Sequence, residues 1–214
     1  MTTKRKNGEE SKTALIVLLK NAKKGHAKTR LAKGIGVDAA HDAYLYLLTK
    51  TQELVEATSF AVYLYYSDSL PNESARWQMQ NGTDQLLYRL QSDGDLGKRM
   101  ITAFTEVLVS HGQAIIMGSD CPYITQDHLD QASDLLNVND VVYGPSLDGG
   151  YYLLGLKSPH QTLFTEIPWS TEIVLEKSLE HCKAANLSVA LLEPLEDIDE
   201  AESWERYQAK KELS

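Results

Sequence analysis

Thr13-Ala-Leu-Ile-Val-Leu-Leu19 carries no charge over seven residues and is β-branched at Thr13, Ile16 and Val17. Such a run suits a strand buried on both faces, which in turn requires helices covering both sides of a sheet. The rest of the chain repeats the theme. Strand-like runs stand at Phe60–Tyr66, Gln85–Leu90, Ala114–Met117, Asp140–Tyr143, Tyr151–Gly155 and 188–192. Helical patterns separate most of them, at 38–57, around Ser74–Met79, at Leu96–Ser110, from Thr125 to about Leu136, at 172–185 and from Glu200 onward. The stretch from Lys20 to Gly36 reads as a polar loop. Thr125 reads as an N-cap in which His128 completes no capping box. Strands alternating with helices give an α/β fold with a mostly parallel sheet. Between 140–143 and 151–155 no crossover helix fits, so one antiparallel or sheet-switching strand is expected there.

The 214 residues suit one domain of good size, and no interdomain linker or repeat interrupts them. Residues 1–12 read as a disordered basic tail and 13–214 as a single domain. No run of 18 apolar residues occurs, which excludes a membrane-spanning helix. Lys4-Arg5-Lys6 is followed by Asn-Gly-Glu-Glu rather than an apolar stretch, so no secretory leader is expected. Cys121 and Cys182 lack CxxC spacing and read as reduced thiols of a cytoplasmic protein.

Charge is unevenly divided. Residues 1–33 hold ten Lys/Arg and two Asp/Glu, while the whole chain is −9, so the remainder sums to −17. An acidic body argues against a nucleic-acid partner, which needs a dominant basic face. A local basic cluster suits a small anion such as a phosphate-bearing ligand.

Loops after the carboxyl ends of parallel strands are where open α/β sheets take ligands. After the first strand, Lys23-Lys-Gly25-His-Ala-Lys28-Thr-Arg30 offers Gly25 for close backbone approach, with Lys28 and Arg30 as phosphate contacts. An extended loop would face Lys28 and Arg30 the same way. Gly118-Ser119-Asp120-Cys121-Pro122 places a carboxylate at a strand end, where Asp120 either binds a divalent cation or caps a turn. No His is paired in sequence with Cys121, which reads as an inert thiol. In Gly144-Pro-Ser-Leu-Asp148-Gly149-Gly150 the glycines either admit a ligand or close a hairpin. Asp197 and Asp199 alternate and either add a second carboxylate to a metal site or, at Asp199, cap the last helix. Gln91 to Arg99 either joins a ligand pocket or caps a helix. Pro168-Trp169-Ser170-Thr171 offers an aromatic wall and hydroxyls. Catalytic zinc spacing, GxSxG and a Walker A loop are missing from the sequence.

Taken in order, KxxKxGxxKTRL, QxxGDLGKRM, GSDCP, GPSLDGGYYLLGL and WST resemble the DUF2064 group, described as radical-SAM/selenodomain-associated transferases. The resemblance spans about residues 13–204. It implies a single-domain Rossmann-like GT-A fold of the nucleotide-diphospho-sugar transferase superfamily, with a mostly parallel mixed sheet and helices on both faces. It also implies Gly25, Lys28, Arg30 and Ser119 at the nucleotide phosphates, and Asp120 with Asp199 at Mg²⁺ or Mn²⁺. Asp148, Gly149, Gly150, Trp169, Ser170 and Thr171 would lie at the sugar or acceptor, with Asp120 and Asp148 catalytic. The chain departs from the group in having no DxD after the fourth strand, Lys24 where many relatives have Pro, and Asp197-Ile-Asp199-Glu-Ala-Glu in place of DIDTPE. The implied activity is metal-dependent transfer of a sugar from a nucleotide-diphospho-sugar to a small-molecule acceptor. Nucleotidyl transfer with pyrophosphate release and nucleotide binding without turnover are the alternatives.

Overall fold

Along the first strand, side chains of alternate residues enter two separate cores. Ala14 and Ile16 pack on one face of the sheet, and Leu15, Val17 and Leu19 on the other. The unbroken apolar run of Thr13–Leu19 (β1) is therefore the signature of a central strand. The computed structural model describes residues 12–77 and 86–212. The expected basic tail, apart from residue 12, residues 78–79 of the expected 74–79 helix and the first residue of the expected 85–90 strand lie outside them.

After β1 come Thr29–Ile35 (α1), Val37–Ala57 (α2), Ala61–Tyr66 (β2), Leu86–Leu90 (β3), Leu96–Val107 (α3) and Gln113–Met117 (β4). The chain continues through Gln126–Val138 (α4), Val141–Pro145 (β5), Tyr151–Leu156 (β6), Val174–Ala184 (α5), Val189–Leu191 (β7) and Ala201–Glu212 (α6). The seven strands form one sheet in the order β3-β2-β1-β4-β6-β5-β7. All neighbours pair in parallel except β4 with β6 and β5 with β6, so β6 alone runs against the other strands. That is the reversed strand expected from the short 146–150 connection, which closes as a hairpin through Ser146 N–H to Gly150 C=O at 3.0 Å.

Helices α2 and α4 cover one face through Leu54, Val55, Leu129, Ala132 and Leu136. Helices α3 and α5 cover the other through Met100, Ala103, Phe104, Val107 and Cys182. Cys121 and Cys182 belong to opposite cores. A third, small cluster of Leu31, Ala40 and Ala43, with Trp204 against it, joins α1, α2 and α6.

Three local readings need correction. The 20–36 stretch is not all loop: α1 forms within it because Leu31, Ala32 and Ile35 recur at helical spacing and pack on α2 and α6. Of the 74–79 helix, only a single 3₁₀ turn at Glu73–Ala75 lies in the described residues. His128 does close the cap of α4, since its Nδ1 accepts from the Thr125 backbone N–H at 3.2 Å. An imidazole thus takes the place usually filled by Glu or Gln.

Candidate functional site

Strand order reverses its direction of growth between β1 and β4, and a crevice opens there at the carboxyl ends of the strands. It is a cavity of about 490 Å³, within the range of small-molecule sites. Leu18–Lys20 follow β1 into its wall, and Met117–Cys121 follow β4. Ala27–Arg30 lead into α1, Gln91 follows β3, Leu96 and Arg99 lie in the first turn of α3, and Asp197 and Asp199 come from the segment before α6.

That last segment reaches the site because it is stitched alongside β5 and β4. Leu195 pairs with Pro145 and Leu147 through backbone bonds of 3.0 Å each, and Ile198 N–H donates to the Asp120 carbonyl at 2.9 Å. Two acidic residues remote in sequence are thereby brought together.

Between them stands Lys28. Its Nζ lies 2.7 Å from Asp120 Oδ1 and 2.9 Å from Asp199 Oδ1, and donates to the Ile198 carbonyl at 2.5 Å. An ammonium has three hydrogens, and three acceptors take them. The Lys28 side chain is 3% exposed, against 47% for Asp120 and 35% for Asp199. Burial alone would lower the Lys28 pKa, but the two carboxylates outweigh it and hold the ammonium above its ordinary value. Burial would likewise raise Asp199, and Lys28 and Arg30 reverse that, leaving it below the usual carboxylate range.

Lys28 occupies this place through a left-handed backbone, φ 52°, at the N-cap of α1. The expected extended loop does not form at Lys28, although Lys28 and Arg30 both line the cavity and both reach Asp199. Lys28 turns inward, while Arg30 sits in the first turn of α1 with its guanidinium 3.6 Å from Asp199 and 57% exposed. Arg30 keeps donors for a ligand.

Asp197 lies beneath this pair. Burial, then the charges of Asp120, Asp148 and Asp199, push its carboxyl up to about 7, opposed by Lys28. Beside it the Cys121 thiol is raised well above its ordinary range by burial and then by Asp197, which disfavours the nucleophilic thiolate.

The other expected residues divide. Ser119 is buried and lines the cavity. Gly25 forms the preceding turn with φ +79° and stands back from the wall. Asp148, Gly149, Gly150, Trp169, Ser170 and Thr171 do not line it either. Asp148 Oδ1 accepts from Ser146 Oγ and from Gly150 N–H, holding the hairpin turn. Gly149 has φ +88°, and a Cβ there would stand 1.9 Å from the Glu172 carbonyl oxygen, so the glycine seats the loop before α5. Trp169 packs over Gly97, where a Cβ would meet its ring at 2.7 Å. Thr171 Oγ1 donates to the Pro168 carbonyl at 2.7 Å.

Sequence reasoning did not single out Tyr44. It bridges Lys20 by accepting from its N–H at 3.1 Å and donating to its carbonyl at 2.9 Å, and so fixes the exit of β1. Asp95 caps α3 through the Lys98 N–H at 2.8 Å while Gln91 and Arg99 line the cavity, so both readings of that motif apply.

A family model, DUF2064, described as an uncharacterized protein conserved in bacteria, matches residues 50–171. The chain belongs to the DUF2064 family. Among solved structures, this DUF2064 chain is similar to a "putative nucleotide-diphospho-sugar transferase" from Desulfovibrio desulfuricans G20. Identity is 26% and the TM-score 0.78, over 89% of this chain and 83% of that one. It shares its fold with a CMP:2-keto-3-deoxy-manno-octonic acid synthetase complexed with CTP (11% identity, TM-score 0.57, 95% and 99% covered). The same holds for Rv0371C from Mycobacterium tuberculosis H37Rv in complex with manganese (15%, 0.54, 92% and 97%). No curated protein matches the chain. The DUF2064 chain thus has the fold of nucleotide-dependent transferases. No helix among its described residues is long and apolar enough to cross a membrane.

Among the described residues no group of three or more His, Cys, Asp or Glu is disposed to hold a metal ion. Asp120 and Asp199 supply two convergent carboxylates. Mg²⁺ is commonly held by one or two carboxylates together with substrate phosphates, so this hard oxygen pair fits Mg²⁺ or Mn²⁺ as partners of a phosphate ligand.

Proposed function

We propose that this protein transfers a sugar from a nucleotide-diphospho-sugar to a small-molecule acceptor, with Mg²⁺ or Mn²⁺ as cofactor. One observation carries the reading: the cavity at the strand-order reversal joins two convergent carboxylates to exposed arginine on its rim. The pair suits a phosphate-bound cation, and the arginine suits the phosphates themselves.

Asp120 and Asp199 would hold the metal. When bound, it supplies positive charge to a departing nucleoside diphosphate. Arg30 offers a planar fork to phosphate oxygens, and Arg99 lines the same cavity as a second cation. Lys28 keeps the two carboxylates at one point, and Tyr44 holds the backbone at the end of β1. The work is electrostatic and positional, with no covalent intermediate on Cys121. Asp148 is assigned no step, because its carboxylate is engaged within its own turn. The two buried thiols suit a reducing compartment, the cytoplasm.

Nucleotidyl transfer is the second reading. Its support is the single acid after β4 together with the shared fold of the CTP-bound synthetase. The products separate the two. Incubation with nucleotide-sugars and nucleoside triphosphates, each with Mg²⁺ or Mn²⁺, should release nucleoside diphosphate and no pyrophosphate. Pyrophosphate release would select nucleotidyl transfer, and metal-dependent binding without either product would select a binding module.

A further inference from the structure

The point where Asp120 and Asp199 converge already holds a cation, the Lys28 ammonium, 2.7 Å and 2.9 Å from their nearer oxygens. All three Lys28 hydrogens are committed, the third to the Ile198 carbonyl. A divalent ion drawing on the same two carboxylates would stand within a few Å of that ammonium, where two positive charges repel strongly. Asp199 is further engaged by Arg30 at 3.6 Å. The carboxylate pair is therefore largely neutralised from within.

We propose that Lys28 and the divalent metal compete for the Asp120–Asp199 pair, so that the protein without a phosphate ligand holds its own lysine there and takes up metal weakly. A phosphate ligand in the same cavity gives the lysine another anionic partner, and its flexible four-carbon stem lets it follow. Metal and phosphate ligand then bind with positive coupling, each tightening the other, and Lys28 is the positioning residue that carries the coupling. The proposal rests on the metal-dependent reading above but needs no turnover to be tested.

The test is a Mn²⁺ titration of the full chain without nucleotide, followed by the electron paramagnetic resonance of free Mn²⁺, for wild type and Lys28→Met. Lys28→Met should bind one Mn²⁺ at least ~10-fold more tightly than wild type, because the pair loses its internal cation. Adding Asp199→Asn to that variant should remove the gain. Equal, weaker or absent Mn²⁺ binding by a folded Lys28→Met overturns the proposal.

Should Lys28→Met fail to fold, the wild-type protein decides. The ¹H–¹⁵N signal of the Lys28 ammonium is followed as Mg²⁺ and inorganic pyrophosphate are added singly and together. A signal that shifts when both are present supports the exchange, and one that stays fixed overturns it. Failure to release any transfer product would defeat the transferase reading while leaving a gain of Mn²⁺ affinity intact. Mn²⁺ binding to neither protein would defeat the competition alone.

Discussion

Among the described carboxyl groups, Asp197 is the one whose surroundings most oppose its charge. Its carboxyl ionises at about 7 in the folded chain against 3.8 in its ordinary state. Between those values the folded protein keeps a proton that the unfolded chain has released, so stability falls as pH rises from about 4 to about 7 and levels above it. The full shift corresponds to no more than about 4 kcal/mol, reduced by whatever water reaches the cavity. Asp197→Asn should therefore flatten the pH dependence of urea unfolding in metal-free protein. The variant should be more stable than wild type at pH 8 and close to it at pH 4. Equal slopes for the two proteins would show that Asp197 ionises normally. Its neighbour Cys121 should behave as a packed, inert group. Cys121→Ser is expected to keep most transfer activity, and loss of turnover with folding and nucleotide affinity intact would point to a thiol step.

At the scale of elements, the hairpin between β5 and β6 is held to the segment before α5 by backbone packing. Gly149→Ala would drive a Cβ into the Glu172 carbonyl and strain a residue at φ +88°. A loss of about 2–4 kcal/mol is expected in denaturant unfolding, with nucleotide affinity preserved in the surviving folded protein. A variant of normal stability but lost affinity would move Gly149 to the ligand. The strands were legible in the sequence because central strands buried on both faces must be uncharged and mostly apolar, as in β1, β2 and β4. The reversed β6 was legible from a connection too short for a crossover. Helix α1 was hidden by Arg30, Lys33 and Gly34, since only Leu31, Ala32 and Ile35 mark its packed face. The cap on α4 was hidden because His rarely serves there. The sequence left Gly149 open between room for a ligand and a hairpin turn, because the Glu172 backbone that fills the space lies 23 positions on.

For the whole molecule, the site depends on contacts that sequence spacing cannot reveal. Lys28 and Asp199 are 171 positions apart, and only the course of the 195–199 segment past β5 and β4 brings them into contact. The acids could be picked out as strand-end carboxylates, but the inward turn of Lys28 could not. The central claim is that this crevice binds a nucleoside diphosphate together with a divalent cation at Asp120 and Asp199. It is tested most directly by calorimetric titration of nucleoside diphosphates into wild type, Asp120→Asn, Asp199→Asn and Arg30→Lys, with Mg²⁺ and with chelator. Wild type should bind only with metal. Each Asp variant should lose that metal dependence and most of the affinity, and Asp120→Asn should also lower the unfolding midpoint, because the buried Lys28 ammonium loses one of its two carboxylates. Arg30→Lys should weaken binding by roughly 10- to 150-fold, the equivalent of one charge-assisted hydrogen bond. Metal-dependent binding of wild-type strength in both Asp variants would contradict the claim.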